Sequence, residues 1–394
     1  MRSRLNLVLL LIGAACLAAL ALVIAQEQEW MVNRDWFTYW AGGRGVLEGL
    51  NVYASPVWRS LHERYGSTWF PNPIFIYAPP TALWVAPLAA LPLTVASSLW
   101  VWFSALGVAI SVVFVSLALH WKSWRRYIVW WGLAILFFLP VILTLLMGQV
   151  SALILLLIVL TGVLWQRQHW FMGGMLLSLV LIKPQPALLL VAMACVWLAL
   201  NRQWRGIAGL GAGIACLFGA SLLLFPNFFI DWQTVALNKV GGVSGRMPTI
   251  WGVAYDIGNP FGLEFVIAGA LLLVLVGLNL WIVWRMSKRD ALEILAVCAV
   301  FSVSLAPYLW TYDLILLILP LTVAAIRLDQ RGAPFFLVAL APLAITILCY
   351  ASFAISAARL SDTQTLSVTI AVGFVLWLAL FNVRSLASQT STRV

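Results

Sequence analysis

Charge is scarce in this chain. Only 9% of its 394 residues are Asp, Glu, Lys or Arg, while 63% are hydrophobic. A soluble domain is about half apolar and about a quarter charged, so a soluble globule is excluded. The polar, strongly charged composition that disorder requires is missing as well. The short alternating stretches of an outer-membrane barrel are absent, and long apolar runs stand in their place. Histidine is rare: His62, His120 and His169 are scattered, and no HExxH occurs. No Walker A loop and no strand-borne GxGxxG is present, which argues against a nucleotide-driven pump. No charged repeat marks a voltage sensor. The five cysteines (Cys16, Cys195, Cys216, Cys298, Cys349) all sit inside apolar runs without CxxC spacing. They offer neither a disulfide framework nor a zinc site. No metal-ligand cluster is visible, so the chemistry is expected to need no metal and no cofactor.

What is there is a polytopic helical membrane protein, all-α, read as one transmembrane domain over residues 1–394. A span needs about 20 apolar residues. That ruler places helices near 5–26, 97–119, 128–147, 150–165, 206–226, 263–285, 291–309, 311–327, 333–357 and 365–383. The basic start (Arg2, Arg4) and apolar run of the N-terminus resemble a signal peptide. The run is a full bilayer span with no small-residue cleavage site after it, so it reads as a first helix. Residues 79–93 are apolar but short and carry Pro79, Pro80, Pro87 and Pro92, which predicts a re-entrant or interfacial segment. Residues 171–200 are broken by Lys183-Pro184-Gln185-Pro186 and read as two short spans meeting there.

The net charge of +10 would suggest nucleic acid in a soluble protein; here its placement matters instead. With the N-terminus inside and about 12 alternating spans, the inside segments hold 15 basic residues against three acids (Asp290, Glu293, Asp329). The outside holds 8 basic residues and 10 acids. This contrast fits the positive-inside rule and predicts cytoplasmic N- and C-termini in the plasma membrane. Two long loops, 27–78 and 227–262, then face outward, together with the Lys183 break, the Gly148-Gln149 turn and the Tyr308–Asp313 junction. Any chemistry is expected on that outer face.

Several residues there could carry it. Asp35 follows the first helix by about nine residues and could act as a general base, or be a solvated acid paired with Arg34 or Arg44. Lys183 lies inside an apolar stretch, where a charge costs about 3 kcal/mol on insertion scales. It could meet a phosphate at the start of the next half-helix, or form a structural ion pair with an acid such as Asp313. Asp313, in Pro307-Tyr308-Leu309-Trp310-Thr311-Tyr312-Asp313, could equally serve a helix N-terminus. Gly148-Gln149-Val150-Ser151 is a turn unless Gln149 faces a cavity. The aromatic stretch 69–80 suits sugar stacking or the interface belt.

These motifs, in order, resemble glycosyltransferase family 87, the polyprenol-phosphate-sugar-dependent membrane mannosyltransferases of the GT-C superfamily. The resemblance runs from about residue 35 to about 325. It rests on Asp35-x-x-x-Tyr39, Gly49-Leu50-Asn51-Val52-Tyr53, Phe75-Ile76-Tyr77-Ala78-Pro79-Pro80 and Gly148-Gln149. Gly173-Gly174-Met175 leading to Ile182-Lys183-Pro184, and Ala306-Pro307-Tyr308 with Tyr312-Asp313, complete it.

The resemblance implies an inverting transferase that moves a hexose, mannose above all, from a polyprenyl-phosphate donor to a lipid-linked or cell-envelope glycan. Asp35 matches the family's catalytic position in the first outer loop. Lys183 would hold the donor phosphate, with Arg246 as a second contact. Tyr39, Tyr53, Tyr77, Gln149, Tyr312 and Asp313 would bind sugar or acceptor. The expected partners are these two substrates and membrane lipids, with no nucleic acid. The main alternative is a secondary transporter or lipid-linked-sugar flippase, which shares broken helices and intramembrane charge. Such proteins carry an internal repeat, and none is visible here. An O-antigen ligase would place its largest outer loop late in the chain, whereas here it comes first.

Overall fold

A computed structural model of the protein describes residues 31–67, 74–240, 246–359 and 361–381, with the side chains of 236–240 left aside. The expected first span, 5–26, lies outside these residues. Among the described residues every regular element is a helix.

The described chain opens with α1 (Asp35–Leu47) and α2 (Ser55–Arg64). The Pro-rich segment then forms α3 (Pro79–Ala89), with Pro79 and Pro80 at its first turn, where the missing N–H costs nothing, and Pro87 inside it near its end. At 11 residues α3 is too short to cross a bilayer, and it packs along α1. Next come α4 (Leu93–Ala118), α5 (Trp124–Leu136), α6 (Leu139–Met147) and α7 (Ser151–Gln166). Residues 128–147, expected as one straight span, are a pair bent by 52°. Pro140 explains the bend: it cannot donate the hydrogen bond that would carry the helix through Phe137-Phe138.

The chain continues through α8 (Trp170–Ser178), a 3₁₀ turn at Leu179–Ile182, α9 (Leu188–Leu200), α10 (Trp204–Leu224), α11 (Phe228–Val240) and α12 (Ile250–Gly258). It ends with α13 (Glu264–Arg285), α14 (Ala291–Leu305), a 3₁₀ helix at Thr311–Leu317, α15 (Ile318–Gln330), α16 (Phe335–Arg359) and α17 (Leu366–Phe381). α8 and α10 cross with their backbones almost touching. A Cβ on Gly174 would overlap the Gly206 carbonyl, and one on Gly209 would overlap that of Phe171. Small residues permit the close contact that membrane helices use in place of hydrophobic driving force.

Six helices are long and apolar enough to cross a membrane, and the bent α5–α6 pair makes a seventh. α7, α9, α14 and Trp170–Ile182 are apolar but shorter. The expected count of about 12 spans treats these four as crossings and adds the first helix; length and composition alone support six or seven among the described residues. Their surfaces fit a lipid solvent. α13 exposes Phe265, Val266, Leu273, Val274, Trp281 and Trp284, far more apolar surface than a water-soluble helix presents. The core lies at the centre of the bundle, where 83% of the apolar window of Thr311–Gln330 is buried.

Candidate functional site

Four interruptions in the helical pattern meet at one end of the bundle. The first is the start of α1. Asp35 is its first residue, where a carboxylate complements the helix dipole. The second is the turn between α6 and α7. Gly148 ends α6 with φ +66°, a conformation that favours glycine, and a Cβ there would overlap Trp36. Trp100 donates from Nε1 to the Gly148 carbonyl at 2.9 Å, and Trp36 stacks on Trp100 at 4.6 Å. These contacts seat α1 on the turn.

The third interruption is Lys183-Pro184-Gln185-Pro186. Proline leaves backbone carbonyls without helical donors, and in lipid each must find another. Thr81 of α3 donates to the Ile182 carbonyl at 2.5 Å. Ser302 of α14 donates to the Pro186 carbonyl at 2.7 Å and accepts from Leu190 N–H at 3.2 Å. The fourth is the junction after α14. There the Asp362 carboxylate accepts from Thr311 N–H at 3.3 Å and Thr311 Oγ1 at 2.8 Å. Thr144 of α6 donates to the Tyr312 carbonyl at 3.0 Å.

The side chains these breaks present form one connected network. Lys183 Nζ donates to Asp313 Oδ1 at 2.5 Å, to Gln149 Oε1 at 2.9 Å and to Ser151 Oγ at 3.3 Å. Ser151 Oγ also donates to Asp313 Oδ1. Gln149 Oε1 accepts from Tyr39 OH at 2.9 Å, and its Nε2 donates to Asp35 Oδ2 at 2.5 Å. Two donors facing Oε1 fix the amide's orientation, so Nε2 must face the carboxylate. The Lys183 ammonium also lies 4.7 Å from the centre of the Tyr312 ring, and Tyr39 packs on Tyr77 at 4.2 Å.

Gln149, Ser151 and Tyr39 are fully buried, and Lys183 and Asp313 nearly so. Asp35, Tyr308 and Tyr312 are only partly covered. Burial among these groups pushes the Asp35 pKa up to about 6; the Gln149 hydrogen bond and Lys183 pull against that rise, and Asp313 adds to it.

Of the residues singled out in the sequence, Asp35, Tyr39, Tyr77, Gln149, Lys183, Tyr312 and Asp313 come together. Tyr53 stands one layer back: its hydroxyl donates to the Tyr77 carbonyl at 2.6 Å. Arg246 is exposed, and its carbonyl accepts from Asp362 N–H at 2.9 Å, which sets its backbone against the Thr311 junction. Arg44 pairs with Glu48. Thr81 and Ser302 are absent from the residues singled out, and Ser151 entered only as the end of the Gly148–Ser151 turn, because a hydroxyl in an apolar helix has no spacing that distinguishes a bridge to a distant break. Among the described residues no three His, Cys, Asp or Glu converge as a metal-ligand set.

Residues 75–307, more than half of the chain, match the family model of glycosyltransferase family 87. The chain belongs to glycosyltransferase family 87. No curated protein and no solved structure matches it. The family 87 match contains Tyr77, Gln149 and Lys183, while Asp35 and Tyr39 precede it and Tyr312 and Asp313 follow it. The network therefore joins the matched core of this family 87 chain to both flanks. Family membership and the apolar helices together make the protein a multi-pass membrane glycosyltransferase.

Proposed function

We propose that the protein transfers a hexose, mannose first among the choices, from a polyprenyl-phosphate donor to a lipid-linked or cell-envelope glycan on the extracytoplasmic face of the plasma membrane. The observation that carries this reading is the placing of Asp35: a carboxylate held by Gln149 on a residue that the fold covers only in part. Such a group is poised to take a proton from an acceptor hydroxyl. The freed oxygen attacks the anomeric carbon, the bond to the donor phosphate breaks, and polyprenyl phosphate leaves with the electron pair. One displacement inverts the anomeric centre. A positioned general base contributes about 10²–10⁴-fold to such a step. Nucleotide sugars are not available outside the cytoplasmic membrane, which favours a lipid-borne donor.

Lys183 has a different part in this scheme from the donor-phosphate contact expected of it. An ammonium has three N–H bonds, and here each has an acceptor. Binding a phosphate would strand Asp313 or Gln149 without a partner. Lys183 is therefore a positioning residue that holds Gln149, and through it Asp35. Arg246 remains the candidate for the departing phosphate, being exposed and set beside the Thr311 junction. In this scheme the partly covered Tyr308 and Tyr312 contact the sugar.

The test is sugar transfer by purified protein in detergent, using radiolabelled polyprenyl-phosphate-mannose and crude host glycolipids. Wild type should transfer label and Asp35→Asn should not, although it binds donor as before. Transfer retained by Asp35→Asn would move the base elsewhere. No transfer from any polyprenyl-phosphate sugar would overturn the donor assignment.

A further inference from the structure

At the opposite end of α7 lies a second site. Ser151 touches the network just described, whereas Gln166, 15 residues on, lines a separate cleft. At 1.5 Å per residue the two are roughly 22 Å apart. The cleft encloses about 840 Å³ between α4, α7, α8, α9 and the α13–α14 connection. Three tryptophans form one wall: Trp165 lies 5.7 Å from Trp197 and 6.4 Å from Trp170, ring centre to ring centre. Three arginines, Arg167, Arg289 and Arg327, stand around it.

The arginines are under-neutralised. Arg327 pairs with Glu293 at 2.5 Å, and Arg289 reaches the same carboxylate at only 3.9 Å. Two cations thus share one acid. Arg167 is exposed and makes no ion pair among the described residues. The acid that lines the cleft, Asp290, is engaged by Gln166 Nε2 at 2.6 Å and Leu292 N–H at 2.8 Å. The opposite wall is apolar, with Phe114, Leu117 and Leu160, and Leu117 is 64% exposed. The cleft is therefore open sideways along α4, a candidate span, where lipid chains would run.

We propose that this cleft binds an anionic membrane phospholipid, the phosphate on Arg167 and Arg289 and an acyl chain along Leu117 and Leu160. Charge complementarity selects the occupant: a surplus of arginine at a helix-end interface, continued by an apolar trough, fits a headgroup with its tail. A neutral lipid would leave that surplus unmatched, and a free phosphate would leave the trough unfilled. Each arginine contributes about fivefold to binding an anionic lipid. The site is remote from Asp35, so its occupant bears on anchoring and stability rather than on the transfer step, and the proposal does not depend on the donor assigned above.

The experiment is native mass spectrometry and thermal unfolding of the full chain, titrated with phosphatidylglycerol or phosphatidylcholine. The double variant Arg167→Gln/Arg289→Gln is run beside wild type; Arg327 is kept because of its pair with Glu293. Wild type should retain one phosphatidylglycerol and gain Tm from it but not from phosphatidylcholine. The double variant should bind it roughly 25-fold more weakly, with transfer activity unchanged. Equal binding of both lipids would overturn the proposal, as would a preference that survives in the double variant or full competition by inorganic phosphate. A disulfide between Leu117→Cys and a cysteine placed within residues 5–26 would overturn it too, by showing that the chain fills its own cleft.

Discussion

Lys183 Nζ and Gln149 Oε1 meet at 2.9 Å, although 34 residues separate them. Each stands at a break in a helix, and their bond couples the buried ion pair of Lys183 and Asp313 to the carboxylate of Asp35. The ion pair is thus a mount for the proposed base. Charge that would be costly in an apolar bundle is held here inside a connected set of hydrogen bonds.

Gln149 is the hinge of that mount. Gln149→Leu removes the acceptor of Lys183 and Tyr39 and the donor to Asp35. Transfer should fall about 10–100-fold, the scale of losing the support of a positioned group. Single-turnover kinetics with saturating donor would show the loss in the chemical step. An unchanged kcat would remove Gln149 from the mechanism.

The rate should follow the ionisation of Asp35. Its pKa of about 6 means that the base is protonated in mild acid, so kcat/KM should rise through pH 6 and level off above it. Gln149→Glu sets a second carboxylate against Asp35 and should move the midpoint to higher pH. A profile flat between pH 5 and 8 would count against Asp35 as base.

The same shift carries a stability consequence. The folded-state pKa lies above the ordinary value near 4, so burial of Asp35 favours folding in its protonated form. That contribution is fully present below about pH 4 and is lost as pH rises through 6. Asn keeps an acceptor for Gln149 Nε2 and carries no charge. Asp35→Asn should therefore exceed wild type in Tm at pH 8 and match it near pH 4. Thermal scans at the two pH values decide the matter.

Lys183→Met should destabilise severely, by roughly 3–5 kcal/mol, because Asp313 is left buried and unpaired. Lys183→Met/Asp313→Asn removes both charges and should recover most of the folded yield. If Lys183 acts only by positioning, the folded double variant should keep donor affinity and lose kcat. Loss of donor affinity instead would restore Lys183 to the phosphate.

Gly148→Ala tests the seating of α1. It forces a side chain into positive φ and against Trp36, displacing the start of α1 and with it Asp35. Both Tm and transfer should fall. Trp36→Ala, added to it, should relieve the overlap and recover part of the Tm.

The span-long apolar runs, the broken stretch at Lys183 and the turn at Gly148 were all legible in the sequence, because each follows from local chemistry. Low charge and long apolar runs require lipid as solvent. Proline cannot continue a helix, and glycine is the residue that favours positive φ. The candidate residues were legible for a related reason: ionisable and amide groups at such breaks are conspicuous against an apolar background. The bend at Phe137-Phe138 was missed, since one proline near a helix start reads equally as a tolerated kink. The apolar helices α7, α9 and α14 are shorter than a full span, so length and composition leave open whether they cross.

Tertiary structure alone set Lys183 against Asp313. Phosphate contact and structural ion pair were both open on its sequence, because the choice depends on how many acceptors stand within reach of one ammonium. Gln149, Ser151 and Asp313 come from elements 32 to 130 residues away along the chain, and only packing brings them to that point. The sequence by itself determined the solvent, the helices and where they break. The fold decided which breaks meet, because hydrogen bonds across such separations have no local signature.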